Sequence, residues 1–208
     1  MFGVPKIDVF HTPFDSGILT IGDKGVGRSQ LSNVLSGNLF EPKTLYSLPQ
    51  LIELFSFQSQ FETFKKSLIM IAPPQDPENA FQSKALRNVQ IIMFLASYDS
   101  LESFEDVINK WIPAASNNES LFQPRAKYVV VLTKSDLIGT EHQKVTNDMI
   151  SNLDSDKFTI YSVSAKTNEG IDNLKEQIIN IVDDNTQFKY IYPKNVDQKK
   201  KKRKCAIL

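Results

Sequence analysis

One stretch, Gly22-Asp23-Lys24-Gly25-Val26-Gly27-Arg28-Ser29, limits the folds open to this chain more than any other feature. It fits G-x-x-x-x-G-K-[ST] at every fixed position but one, where Arg28 stands in place of lysine. It follows the apolar run Ile18 to Ile21, read as a buried strand, and opens a helix over Ser29 to Leu35. A strand–loop–helix of this kind turns successive backbone N–H groups inward, and the helix N-terminus adds partial positive charge. The loop therefore suits a polyphosphate, with the Ser29 hydroxyl placed to ligate Mg²⁺. Arg28 keeps the positive charge, but a planar guanidinium is larger than an ammonium, so weakened affinity or altered geometry is expected there.

The rest of the body alternates apolar runs with helical stretches. Leu51 to Phe57 and Ser67 to Ala72 read as two strands compatible with a hairpin. Ile91 to Ala96, Tyr128 to Leu132 and Phe158 to Val163 complete a set of six. Their unbroken, β-branched character predicts strands covered on both faces. Asp99-Ser100-Leu101-Glu102 resembles a capping box for a helix running towards Trp111, with Pro113 expected to stop it. Ile171, Leu174, Ile178 and Ile181 form one helical stripe, a core-facing amphipathic helix. The expected fold is α/β, a six-stranded, mostly parallel sheet with helices on both faces. Residues 1–15 read as an arm, 16–183 as the domain and 184–208 as a tail.

Two later segments bear on the ligand's base. Thr133-Lys134-Ser135-Asp136 follows the strand Tyr128 to Leu132, and Ser164-Ala165-Lys166 follows the last strand. The Asp136 carboxylate can accept from guanine N1–H and the 2-amino group, neither of which adenine offers. The Lys134 stem can lie along the base, Thr133 keeps a hydroxyl able to brace the loops, and the Ala165 N–H would donate to guanine O6. Both segments sit at C-terminal strand ends, where open sheets bind ligands.

These three segments resemble the G1, G4 and G5 motifs of the Ras-superfamily small GTPases, and the GDxGVG and SAKTNEGI forms are most similar to the Rab group. The resemblance covers about residues 16–182, together with the tail. It implies a three-layer P-loop G-domain, GTP/GDP and Mg²⁺ as ligands, and effector and regulator proteins as partners. Phe40, where family members often stack an aromatic on the guanine, has an equal claim as an apolar anchor for its loop.

The family's second switch is where the pattern breaks. Its Asp-x-x-Gly and the glutamine that positions the attacking water are replaced by Ile71-Ala72-Pro73-Pro74-Gln75-Asp76-Pro77-Glu78. Gln75 is the remaining candidate for that catalytic place, and three prolines make an unusual switch. For the residue that closes over Mg²⁺, Ser47 and Thr44 are both candidates. Losing water positioning and metal support together predicts very slow hydrolysis of GTP to GDP.

The formal net charge is zero, yet Lys199, Lys200, Lys201, Lys202, Arg203 and Lys204 put six positive charges in the tail. The body is left mildly acidic, which argues against nucleic acid as a partner. Cys205, the single cysteine, forms no internal disulfide and fits a reducing compartment. Cys205-Ala206-Ile207-Leu208 is a C-a-a-X ending, and leucine at X favours geranylgeranylation by a prenyltransferase. Lipid plus polybasic run predicts anchorage to the anionic cytoplasmic leaflet of a membrane. Two readings follow. One is a membrane-attached nucleotide switch in vesicle traffic or signalling; the other is a pseudo-GTPase scaffold that binds partners without a nucleotide cycle.

Overall fold

The apolar runs become strands and the amphipathic stretches become helices in a computed structural model that describes residues 17–42, 50–58, 63–71, 81, 86, 89–122, 124, 126–153 and 158–185. In chain order these are β1 (Gly17–Ile21), α1 (Arg28–Leu35), β2 (Gln50–Gln58), β3 (Thr63–Ile71), β4 (Val89–Ser97) and α2 (Leu101–Asp106). A π-helical turn (Val107–Trp111) joins α2 to α3 (Ile112–Asn117). Then come β5 (Lys127–Thr133), α4 (Asn147–Ser151), β6 (Thr159–Val163) and α5 (Ile171–Asn185).

The sheet has the order β2-β3-β1-β4-β5-β6. β2 pairs antiparallel with β3, and every other neighbouring pair is parallel. β4, at the centre, is buried at all nine positions. Its alternate side chains separate into two cores. Ile91, Met93 and Leu95 meet α1 and α5 through Leu31, Leu35, Ile171, Leu174 and Ile178. Ile92, Phe94 and Ala96 meet Phe104, Val107, Trp111 and Ala115 on the other face. Helices cover both faces, so the architecture has three layers. Burying a leucine- or isoleucine-sized side chain contributes about 1.5–3 kcal/mol, and these two cores hold the strand ends in register.

Two details around α2 depart from the sequence expectation. The capping pair sits one residue later than Asp99 and Glu102: Ser100 Oγ accepts from the Ser103 N–H at 3.1 Å, while Ser103 Oγ donates to the Ser100 carbonyl at 2.8 Å. Asp99 is engaged elsewhere. Nor does Pro113 stop the helix, because it enters near the start of α3, where a missing N–H costs little. The π turn supplies that restart, its Ile112 N–H reaching the Val107 carbonyl. α5 continues through Asn185, slightly past the boundary read for the domain. α4, with Thr146 capping the Met149 N–H, has no counterpart in the sequence reading.

Register aligns the strand ends. Ile21 stands opposite Phe94, Ser97 opposite Thr133, and Thr133 opposite Val163. The loops after β1, β4, β5 and β6 therefore leave the sheet along one edge.

Candidate functional site

The phosphate-type loop begins closer to the sheet than any side chain permits. A Cβ on Gly22 would lie 2.4 Å from the Leu95 carbonyl oxygen, so only glycine fits. Gly27, at φ 90°, is the N-cap of α1, and its carbonyl accepts from the Leu31 N–H at 2.8 Å. No side chain caps α1 and its first turn carries no acid, so no side chain of that turn competes with an incoming anion for its leading amides. Val26, 2% exposed, anchors the loop below.

Thr133 ties this loop to the sheet. Its Oγ1 donates to the Val26 carbonyl at 2.6 Å and also lies 3.2 Å from the Ala96 carbonyl. The hydroxyl thus does the bracing that asparagine provides in the usual form of the motif. Arg28 and Ser29 occupy the first turn of α1. Burial pulls the Arg28 guanidinium below its ordinary pKa, and the negative charge of Asp23 partly counters that. An arginine stays charged through such a shift.

At the base end, Asp136 Oδ1 accepts from Ser164 Oγ at 2.6 Å, and Lys166 Nζ stands 3.5 Å from Oδ2. The carboxylate is 14% exposed, enough to meet one planar ligand edge. Ser164 Oγ in turn accepts from the Thr167 N–H at 3.2 Å. Lys134, at φ 62°, sends its ammonium away from Asp136 to both oxygens of Asp99, at 2.9 and 2.8 Å. Burial alone would raise the Asp99 carboxyl, but the bonds from Lys134 and Ser97 and the lysine's charge outweigh it and hold that carboxyl below its usual range.

Part of the glycine loop and the segments after β5 and β6 line one cavity of about 240 Å³. Gly25, Gly27 and Thr133 line one end, Asp136, Ala165 and Lys166 the other, and Phe40 the flank. Phe40 also packs against the core beneath α1, so a single ring both lines the cavity and anchors its loop. Asp23 and Lys24 face a neighbouring cleft of about 510 Å³ towards α2. Ser47 (and Thr44), Gln75 and Cys205 lie outside the described residues, as do the proline-rich stretch and the basic tail.

Two residues that hold the site were not read from the sequence. Asp99 fixes Lys134, and its one signal was an acid at the ligand edge of β4. Glu169 joins the two base-end loops: its Oε2 accepts from Ser135 Oγ at 3.1 Å and its carbonyl from the Ser164 N–H at 2.9 Å. Nothing local to the sequence marks that bridge.

The donor set suits a guanine nucleotide, with backbone amides and Arg28 for phosphates and an acceptor-only carboxylate for the base edge. Among the described residues no three His, Cys, Asp or Glu side chains cluster to hold a metal. Mg²⁺ would rest on Ser29 and phosphate oxygens, where it supplies charge neutralisation.

The sequence profile of the Ras family matches residues 17–184. GTP-binding protein rho3 of Schizosaccharomyces pombe is 28% identical over 156 residues, which span 72% of this chain and 67% of that relative.

Proposed function

Because the chain belongs to the Ras family, we propose that it binds GTP and GDP in the cavity at the ligand edge of the sheet and acts as a prenylated, membrane-associated switch in vesicle traffic or signalling, with weak or absent hydrolysis. The observation that carries this reading is the Asp136 carboxylate, held at the cavity wall by Ser164 and Lys166 beside the glycine loop. Bound guanine gives Asp136 two donors, and the Ala165 N–H meets O6. Arg28 and the amides of Gly25 to Ser29 take the phosphates. Weak hydrolysis is supported by Pro73, Pro74 and Pro77, where the family keeps Asp-x-x-Gly. The C-a-a-X ending and the six adjacent cations support a geranylgeranyl anchor at Cys205 on an anionic cytoplasmic leaflet, with effectors and regulators as partners.

Those prolines also favour a second reading, a tethered scaffold without a nucleotide cycle. Isothermal titration of GTP, GDP and ATP with Mg²⁺, followed by single-turnover hydrolysis, separates the two. The switch requires guanine-selective binding; absence of binding leaves the scaffold, and a hydrolysis rate typical of active small GTPases contradicts the slow-turnover claim. Cys205→Ser is expected to move the protein from membranes to the soluble fraction, and unchanged sedimentation with membranes removes the lipid anchor.

A further inference from the structure

The π turn after α2 widens the helix by one residue and so redirects the side chains that leave it. Two of them reach the phosphate loop. Trp111 Nε1 donates to Asp23 Oδ1 at 3.1 Å across 88 positions of sequence. Lys110 Nζ lies 3.9 Å from the same oxygen, 3.0 Å from Asp106 Oδ2, and 4.8 Å from the centre of the Trp111 ring. Trp111 is 1% exposed and among the largest fully buried side chains, so the position of its indole is set by the core. An indole has a single donor, and here that donor is spent on the second residue of the phosphate loop.

We propose that Asp23 is a positioning residue for the phosphate end of the site: Trp111 and Lys110 hold its carboxylate, and the held carboxylate fixes the loop around the β-phosphate. The proposal rests on the guanine-nucleotide reading above. Its physical basis is the tie between a buried core side chain and a residue of the ligand loop. The charge of Asp23 does act on Arg28, opposing the effect of burial. The widened turn thereby brings a rigid core residue into contact with a ligand loop.

The test compares GDP, which carries the β-phosphate, with GMP, which lacks it. Competition against a fluorescent GDP analogue gives both affinities for the full chain and for Asp23→Asn, Trp111→Phe and the double variant. Asp23→Asn keeps an acceptor for the indole and nearly the same volume, so it decides the matter should Trp111→Phe fold poorly. The expected result is about a tenfold loss of GDP affinity in each single variant, as for one charge-assisted bond. GMP affinity falls by a clearly smaller factor, and the double variant loses less than the product of the singles. Equal losses for GDP and GMP, or none, overturn the positioning role while leaving nucleotide binding intact. A wild-type chain that binds no GDP brings down the functional reading and this proposal together. Trp111 is the only tryptophan, so its emission supplies a second readout. GDP should shift it in the wild type and shift it less in Asp23→Asn; an unresponsive wild type, or an equal shift in both, counts against the proposal.

Discussion

The two ends of the cavity are built on different principles. At the base end, side chains already hold one another: Asp136 with Ser164 and Lys166, Lys134 with Asp99, and Ser135 with Glu169. At the phosphate end the chain offers backbone amides, through a glycine loop and a helix with no side-chain cap, while the Thr133 and Trp111 side chains hold that loop from behind at Val26 and Asp23. The contrast follows from what each end must read. A base edge differs from its competitors by two donors, so discrimination needs an acceptor fixed in direction before the ligand arrives. A phosphate offers many equivalent oxygens, and converging amide dipoles suit it once the loop that carries them is held in place. On the proposed function, preorganised side chains would set the choice of base and oriented amides the grip on phosphate.

The sharpest way to break this contrast is Asp136→Ala. Two hydrogen bonds to a charged acceptor are worth about 1.5–3 kcal/mol each, so GDP affinity should fall roughly 10²–10⁴-fold. Titration with GDP and with inosine diphosphate, which lacks the 2-amino group, should show the wild-type preference gone in the variant. A retained preference would mean that the base is read elsewhere. Thr133→Val has the next largest effect, because it strips the Val26 carbonyl of its buried donor. About 1–3 kcal/mol of stability should be lost. Thermal unfolding should then shift down by several degrees, with about a tenfold weaker GDP affinity; an unchanged melting curve would show that the loop stands without its brace.

Asp99→Asn should have the smallest effect, since its pair with Lys134 is about one-third exposed and worth below about 1 kcal/mol. Its sign with pH is definite. The folded carboxyl titrates below the ordinary aspartate range, so the stabilisation is present in full above the unfolded pKa and lost as pH falls through the lower folded one. Denaturant melts should show the variant weaker at neutral pH, with the difference closing only in acid. A difference that persists there would assign the loss to packing instead of charge.

How much of this was legible beforehand depends on distance along the chain. The glycine loop is a run of neighbours between a strand and a helix, so its role follows from local geometry. Thr133 to Asp136 and Ser164 to Lys166 are also short runs at strand ends, and the stripe on α5 follows from helical period. The capping pair at Ser100 and Ser103 was misplaced by one residue, because Asp99 offers the same chemistry at the preceding position until Lys134 engages it. Pro113 looked like a stop, since nothing in the sequence announces a π turn that lets a helix restart around it.

Taken alone, the sequence determined the order of the strands, the phosphate loop, and which acid the proposed function assigns to the base, because each rests on residues within a turn or two of one another. Only the tertiary structure decided that Asp99 belongs to Lys134, that Glu169 joins both base-end loops, and that Trp111 answers to Asp23. Those partners lie tens of residues apart and meet through strand order and register. Register is the product of two cores burying alternate faces of β4, a sum over many weak contacts that no short stretch of sequence displays.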